Sequence, residues 1–162
     1  MKVSVIMGSM SDFAKVEQAV IILKKFGVDV DVQCLSAHRC SEELGEYLKE
    51  TNCNGTEVII AAAGMAAALP GVVAAQTVLP VIGVPIKGAS LEGIDALLSI
   101  VQMPSGIPVA TVAIDGTKNA AYLALEILAI KYDELKVKLL EERNEMKKAI
   151  LNANKELKNR IN

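Results

Sequence analysis

Aromatic side chains are nearly missing from this 162-residue chain, which has no Trp, three Tyr and two Phe. Its core must therefore be aliphatic and alanine-rich, and few rings remain to stack an isoalloxazine, which argues against a flavin binder. Positive charge is not in excess either. Seventeen Lys and Arg against 19 Asp and Glu give a formal net charge of −2, without the basic patch or basic–aromatic interleaving that nucleic-acid binding requires. The three cysteines, Cys34, Cys40 and Cys53, are odd in number and contain no C-x-x-C pair. Neither a disulfide framework nor a zinc site is indicated, and inert thiols in a reducing compartment are expected. No apolar run approaches the roughly 18 residues of a membrane span. The run Val3 to Met7 is too short for a signal segment, so a cytoplasmic location is expected. The glycine spacings of triphosphate and dinucleotide loops are also missing. Histidine occurs once, at His38.

What is present alternates. Val3 to Met7 reads as a buried parallel strand, and Gly8-Ser9-Met10-Ser11-Asp12 opens a helix to about Lys25. Gly27 follows that helix as a C′ glycine would. A strand over 28–35 leads through Ser36-Ala37-His38-Arg39 to a helix over 41–50. Glu57 to Ala62 is the third strand, with a small-residue loop from Ala63 to Gly71 and a helix over 70–78. Leu79 to Ile86 is the fourth, with a helix over 94–102 behind it. Pro108 to Ile114 is the fifth, followed by a turn over Asp115 to Asn119 and a helix from Ala120 to Ile130. This alternation predicts an α/β fold, a doubly wound parallel sheet in a single domain over 1–162, with its core in about 1–131. From Asp133 to Asn162 a stripe of Leu135, Leu139, Met146, Ile150, Ala153, Leu157 and Ile161 lies among Glu, Lys and Asn. A helix of about 28 residues there would run about 42 Å. That exceeds what one compact domain needs, so the extension over about 133–162 is expected to reach onto another subunit.

Three stretches carry the candidate chemistry. His38 and Arg39 fall just past the carboxyl end of a strand, where open α/β sheets hold their ligands. Histidine is the side chain that both takes and gives a proton near neutral pH. The Gly8–Asp12 turn joins a strand to a helix N-terminus, a geometry suited to anions. Ser9 and Ser11 can donate there, and Asp12 can accept from sugar hydroxyls. Ser and Asp are equally the favoured capping residues, and the local sequence leaves both readings open. The Ala63–Gly71 loop has almost no polar side chains, so a ligand there would be held by main chain and shape. Small residues that merely let a helix pack closely would look the same.

In order and spacing these stretches resemble the PurE family of purine biosynthesis, specifically its N5-carboxyaminoimidazole ribonucleotide mutases. The resemblance covers roughly residues 3–131. It rests on Met7-Gly8-Ser9-Met10-Ser11-Asp12, on Ser36-Ala37-His38-Arg39 and on Ala63-Gly64-Met65-Ala66-Ala67-Ala68-Leu69-Pro70-Gly71. Leu79 to Pro85 and Ala96 to Thr111 extend it. It implies a flavodoxin-like sheet, a homo-octamer with sites between subunits, a ribonucleotide substrate and no cofactor or metal. Ser9, Asp12 and Arg39 match the family's substrate-binding positions and His38 its acid/base. Ser11, Ser36, Ala37, Gly64, Ala67, Ala68 and Leu69 fall in the matching site loops.

The sequence departs from the family pattern in two places. Ala68 stands where the family usually has His, and Cys40-Ser41 replaces the usual Thr-Pro, with Ser41 expected to cap the helix. Two further functions fit the same residues: a carboxylase using aminoimidazole ribonucleotide and CO2, and a ribonucleotide-binding protein without turnover. The carboxylase class tends to carry Lys after the histidine and a polar loop, so Arg39 and Met65-Ala66-Ala67 favour the mutase.

Overall fold

The computed structural model describes residues 1–161. Five parallel strands lie in the order β2-β1-β3-β4-β5. They are β1 (Lys2–Met7), β2 (Asp29–Cys34), β3 (Val58–Gly64), β4 (Val81–Ile86) and β5 (Ala110–Thr111). Helices α1 (Phe13–Lys25), α2 (Ser41–Thr51), α3 (Leu69–Ala74), α4 (Ile94–Val101) and α5 (Thr117–Leu128) follow the strands in turn, and α6 (Asp133–Ile161) closes the chain. This is the flavodoxin-like, doubly wound order, and the expected fold is the one observed.

Strand alternation explains the two layers. Val3, Val5 and Met7 of β1 join Val58, Ile60, Ala62, Ile82, Val84 and Ile86 on one face, packed against α1, α5 and the start of α6. Ile6, Ile59, Ala61, Ala63 and Val81 point to the other face, against α2, α3 and α4. Strands covered on both sides read as unbroken apolar runs, as β3 and β4 do, whereas β2 at the sheet edge alternates Asp with Val. Ser4 is the polar exception within β1, and its hydroxyl lies 2.6 Å from the Tyr47 hydroxyl. Tyr47 in turn donates to Asp31 at 3.0 Å. Burial pushes the Tyr47 phenol upward, more than the Ser4 contact pulls it down, and Asp31 adds to the rise.

Gly27 ends α1 as expected. It has φ +82°, its N–H donates to the Lys24 carbonyl at 3.0 Å, and the Val28 N–H reaches back to Leu23 at 3.1 Å, the paired bonds of a Schellman stop. Gly83 in β4 serves packing. A Cβ built there would fall 2.5 Å from Ile100 Cγ2 and 2.8 Å from Val109 Cγ1, so its hydrogen lets α4 and the approach to β5 close on the sheet.

Several boundaries differ from those read in the sequence. The first turn is a short 3-10 segment, Met10–Asp12, and α1 proper begins at Phe13. The helix expected over 70–78 is only Leu69–Ala74; beyond it the Leu79 N–H bonds to Thr77 Oγ1 at 3.1 Å, and Pro80 disfavours a helical Leu79. β5 is two residues long rather than Pro108 to Ile114. Pro108 has no N–H for a ladder, and beyond Val112 the chain bends into Asp115, whose φ is +56°. α5 starts at Thr117, inside the expected turn, with Gly116 as its cap.

The terminal helix covers Asp133–Ile161, 29 residues of the expected extension, and Asn162 lies outside the described residues. Asp133 and Glu134 open it, Lys158 and Arg160 lie in its last turn, and both match the sign of the helix dipole. Only Leu135 and Leu139 are buried. Lys25 and Glu142 pair at 2.7 Å and Lys138 donates to the Phe26 carbonyl at 3.2 Å, fixing its first half to α1. Met146, Ile150, Leu157 and Ile161 are exposed. No helix among the described residues is long and apolar enough to cross a membrane.

Candidate active site

Parallel strands end on the same side of the sheet, so the loops after β1, β2, β3 and β4 meet at one rim. They enclose a cleft of about 630 Å³. Every candidate from the sequence lines it. The β1 loop contributes Ser9, Ser11 and Asp12; the β2 loop Ser36, Ala37, His38 and Arg39; the β3 loop Gly64, Ala67, Ala68 and Leu69.

The serine–aspartate turn divides its work between folding and the cleft. Ser9 is extended (φ −155°), and its Oγ accepts the Ser11 N–H at 3.3 Å, so Ser9 caps the 3-10 turn. The Ser11 hydroxyl lies 2.8 Å from Ser9 Oγ and 3.2 Å from Asp12 Oδ1. Asp12 stands at the cap of α1 yet makes no capping bond, which leaves its carboxylate for the cleft. Burial raises the Asp12 carboxyl above its usual range; Ser11 and Lys15 oppose that rise, and the Asp115 charge adds to it. The capping reading therefore holds for Ser9, and Asp12 is left without a capping role.

His38 is exposed, at the centre of the turn after β2, and makes no hydrogen bond to the described residues. Arg39 is fixed at its far end: one terminal nitrogen donates to the Gly8 carbonyl at 2.9 Å, and Nε lies 3.4 Å from Ser36 Oγ. The guanidinium thus bridges the first two loops. The cap of α2 is Cys40 rather than Ser41, which takes the first helical position.

The β3 loop offers main chain and little else. Met65 and Ala67 have φ of +57° and +43°, left-handed conformations that L side chains rarely adopt. The Ala67 N–H donates to the Gly64 carbonyl at 3.1 Å, closing a tight turn. A Cβ at Gly64 would come within 3.2 Å of the Ile86 carbonyl oxygen, so glycine lets β3 and β4 end side by side. Ala67 and Leu69 are buried, while Ala68 is part-exposed at the cap of α3.

Lys15 and Lys87 also line the cleft and were not among the candidates. Lys15 lies three residues after Asp12 on the same helix face, and Lys87 directly follows β4; both placements are signals the sequence carried. Asp115 ties them together with no such signal. Its Oδ1 accepts from Lys15 Nζ at 2.8 Å and from the Lys87 N–H at 2.9 Å, and Lys15 also reaches the Lys87 carbonyl at 3.4 Å. Burial alone would raise Asp115, but the Lys15 bond, the Lys87 amide and both positive charges hold it below the usual carboxylate range. Lys87 itself pairs with Glu92, which raises the lysine. Three cations thus line the cleft, but Lys15 is paired with Asp115 and Lys87 with Glu92, which leaves Arg39, among the described residues, as the cation without a carboxylate partner. Among the described residues no group of three or more His, Cys, Asp or Glu could hold a metal ion.

A flavodoxin-like sheet carrying a Ser–Asp turn, a His–Arg turn and a small-residue loop at one rim defines an α/β protein with a small-molecule cleft beside a single imidazole. The model of the family described as AIR carboxylase matches residues 2–149. An N5-carboxyaminoimidazole ribonucleotide mutase of Pyrococcus abyssi is 59% identical over 147 residues, 91% of this chain and 84% of that protein. One of Methanocaldococcus jannaschii is 53% identical over 96% of this chain and 97% of its own length. The crystal structure of Treponema denticola PurE superposes with a TM-score of 0.86 at 31% identity, covering 93% of this chain and 94% of that one. The chain belongs to the AIR carboxylase family.

Proposed function

We propose that the protein is an N5-carboxyaminoimidazole ribonucleotide mutase, an isomerase of purine biosynthesis that moves a carboxylate from the exocyclic nitrogen to ring C4. The observation that carries this reading is the meeting of His38, Arg39, Asp12 and the alanine loop in one cleft of nucleotide size. In this reading Arg39 and the Ser9–Ser11 turn donate to the phosphate, with the guanidinium making a charge-assisted contact. Asp12 accepts from the ribose hydroxyls. The N–CO2 bond breaks with its electron pair passing to nitrogen, and His38 supplies the proton that nitrogen takes up. C4 then attacks the released CO2, and His38, now neutral, removes the C4 proton to restore the aromatic ring. One group thus acts as acid and then base, with no net proton consumed. The apolar Ala63–Leu69 wall excludes water from the CO2 fragment.

Residues 1–131 carry the site in this reading, and α6 builds a homo-octamer in the cytoplasm. The exposed stripe of Met146, Ile150, Leu157 and Ile161 supports assembly, since a single chain leaves it uncovered. A carboxylase is the second reading. A Schizosaccharomyces pombe phosphoribosylaminoimidazole carboxylase is 48% identical over 92% of this chain, which spans 27% of that protein.

Turnover of the N5-carboxy compound, and of aminoimidazole ribonucleotide with bicarbonate, separates the two. The mutase reading expects the first reaction and loss of at least about a hundredfold in kcat for His38→Asn. Turnover of aminoimidazole ribonucleotide alone, or a fully active His38→Asn, refutes it.

A further inference from the structure

We infer that Cys40 is a positioning residue for the turn that carries His38, an inference that rests on the mutase reading above. A helix normally places Ser, Thr, Asp or Asn at its cap, with the side chain accepting from amides of the first turn. Cys40 holds that place in α2, and its carbonyl accepts the Leu44 N–H at 3.1 Å, yet its thiol makes no capping bond. The thiol faces backward instead. Its Sγ accepts the Ser36 N–H at 2.9 Å, and its S–H donates to the Ser36 carbonyl at 3.4 Å. The Cys40 N–H donates to the same carbonyl at 3.0 Å.

Ser36 and Cys40 are thus joined by main chain and side chain, with only Ala37, His38 and Arg39 between them. Pinning both ends of so short a span removes most of the freedom of its middle residue, which is His38. The imidazole has no other anchor, because it makes no hydrogen bond to the described residues. The thiol also occupies the Ser36 amide, so this turn meets a ligand through the Ser36 hydroxyl and the Arg39 guanidinium rather than through that N–H. The helix does not depend on the thiol for its start. Glu42 and Glu43 lie in the first turn, where their charge answers the free amides. Losing the sulfur should therefore loosen the turn and leave the fold.

The test compares wild type, Cys40→Ala and Cys40→Ser by steady-state kinetics, thermal unfolding and proton NMR of the imidazole, which is unambiguous in a chain with one histidine. Cys40→Ser keeps an acceptor and a donor in place and is expected to retain the wild-type kcat and imidazole resonances. Cys40→Ala is expected to lose about tenfold in kcat through a misplaced acid/base, with KM within about twofold because Arg39 keeps its bond to Gly8. Its melting temperature should stay close to that of wild type while its imidazole resonances shift or broaden. Wild-type kcat and resonances in Cys40→Ala would overturn the inference, as would an equal fall in melting temperature and kcat in both variants. A wild type without mutase turnover would count against the functional reading alone, since the imidazole resonances still decide the role of Cys40.

Discussion

Asp115 offers the sharpest test of how the cleft is held together. Its carboxylate joins Lys15 of α1 to the Lys87 N–H after β4, beside the longer direct contact from Lys15 Nζ to the Lys87 carbonyl, and its backbone is left-handed at φ +56°. Asp115→Ala removes both hydrogen bonds and places alanine in that conformation. A charge-assisted bond buried on all sides is worth about 1.5–3 kcal/mol, but Lys15 and Asp115 are 36% and 34% exposed, and solvent screening brings the pair to about 1 kcal/mol. Alanine also lacks the short polar side chain that eases Asp into the left-handed region, which adds up to about 1 kcal/mol. The expected loss is about 2 kcal/mol, a fall of roughly 4–8 °C in melting temperature for a chain of this length. Asp115→Asn keeps the Oδ1 acceptor and tolerates the left-handed backbone, so it should lose only the charge, about 0.5 kcal/mol or 1–2 °C. The pH dependence follows from the depressed Asp115 carboxyl. An acid whose folded value lies below its unfolded one stabilises fully above the unfolded value, and that stability fades as pH falls through the folded value. The gap between wild type and Asp115→Asn should therefore close on acidification. Thermal melts across the acid range check this; equal losses in the two variants, or a gap that widens as pH falls, would refute the reasoning.

Arg39→Met should raise KM roughly ten- to a hundredfold through loss of a charge-assisted phosphate contact, with a smaller change in kcat; steady-state kinetics with KM unchanged would count against that role. Gly83→Ala should cost about 1–3 kcal/mol by overpacking against Ile100 and Val109, seen as a melting temperature lower by roughly 2–12 °C, and an unchanged melt would show that α4 shifts freely on the sheet.

The sheet was legible because its signals are periodic and repeated. The apolar runs of β1, β3 and β4 and the alternation in β2 mark buried and edge positions by the same rule that lays them side by side. The three loops of the cleft were legible for a related reason: a residue that follows a parallel strand is carried to the rim without any knowledge of packing. Lys87 obeys that rule too, but a lysine after a strand, with Ser90 and Glu92 further along the loop, reads equally well as a solvated side chain. Asp115-Gly116 announced a turn, but not its partners. Asp115 meets Lys15 and the Lys87 N–H only because β5 stops at Thr111 and the chain then turns through a left-handed residue, which the sequence does not locate against the rim. The cap of α2 was misassigned for a similar reason. Serine is the better capping residue, but the thiol beside it found partners behind the helix rather than ahead of it.

β1 lies inside the sheet, between β2 and β3, and this bears on how the protein matures. The strand made first becomes an inner member of the sheet, and its rim loop waits for partners from β2, β3 and β4 and finally for Asp115. A nascent chain that has not yet released residue 115 holds no finished binding surface, whatever strands it has already paired. A ligand seated at that rim therefore favours the completed sheet over every shorter intermediate, and bound substrate acts as a late rivet driven through the assembled domain.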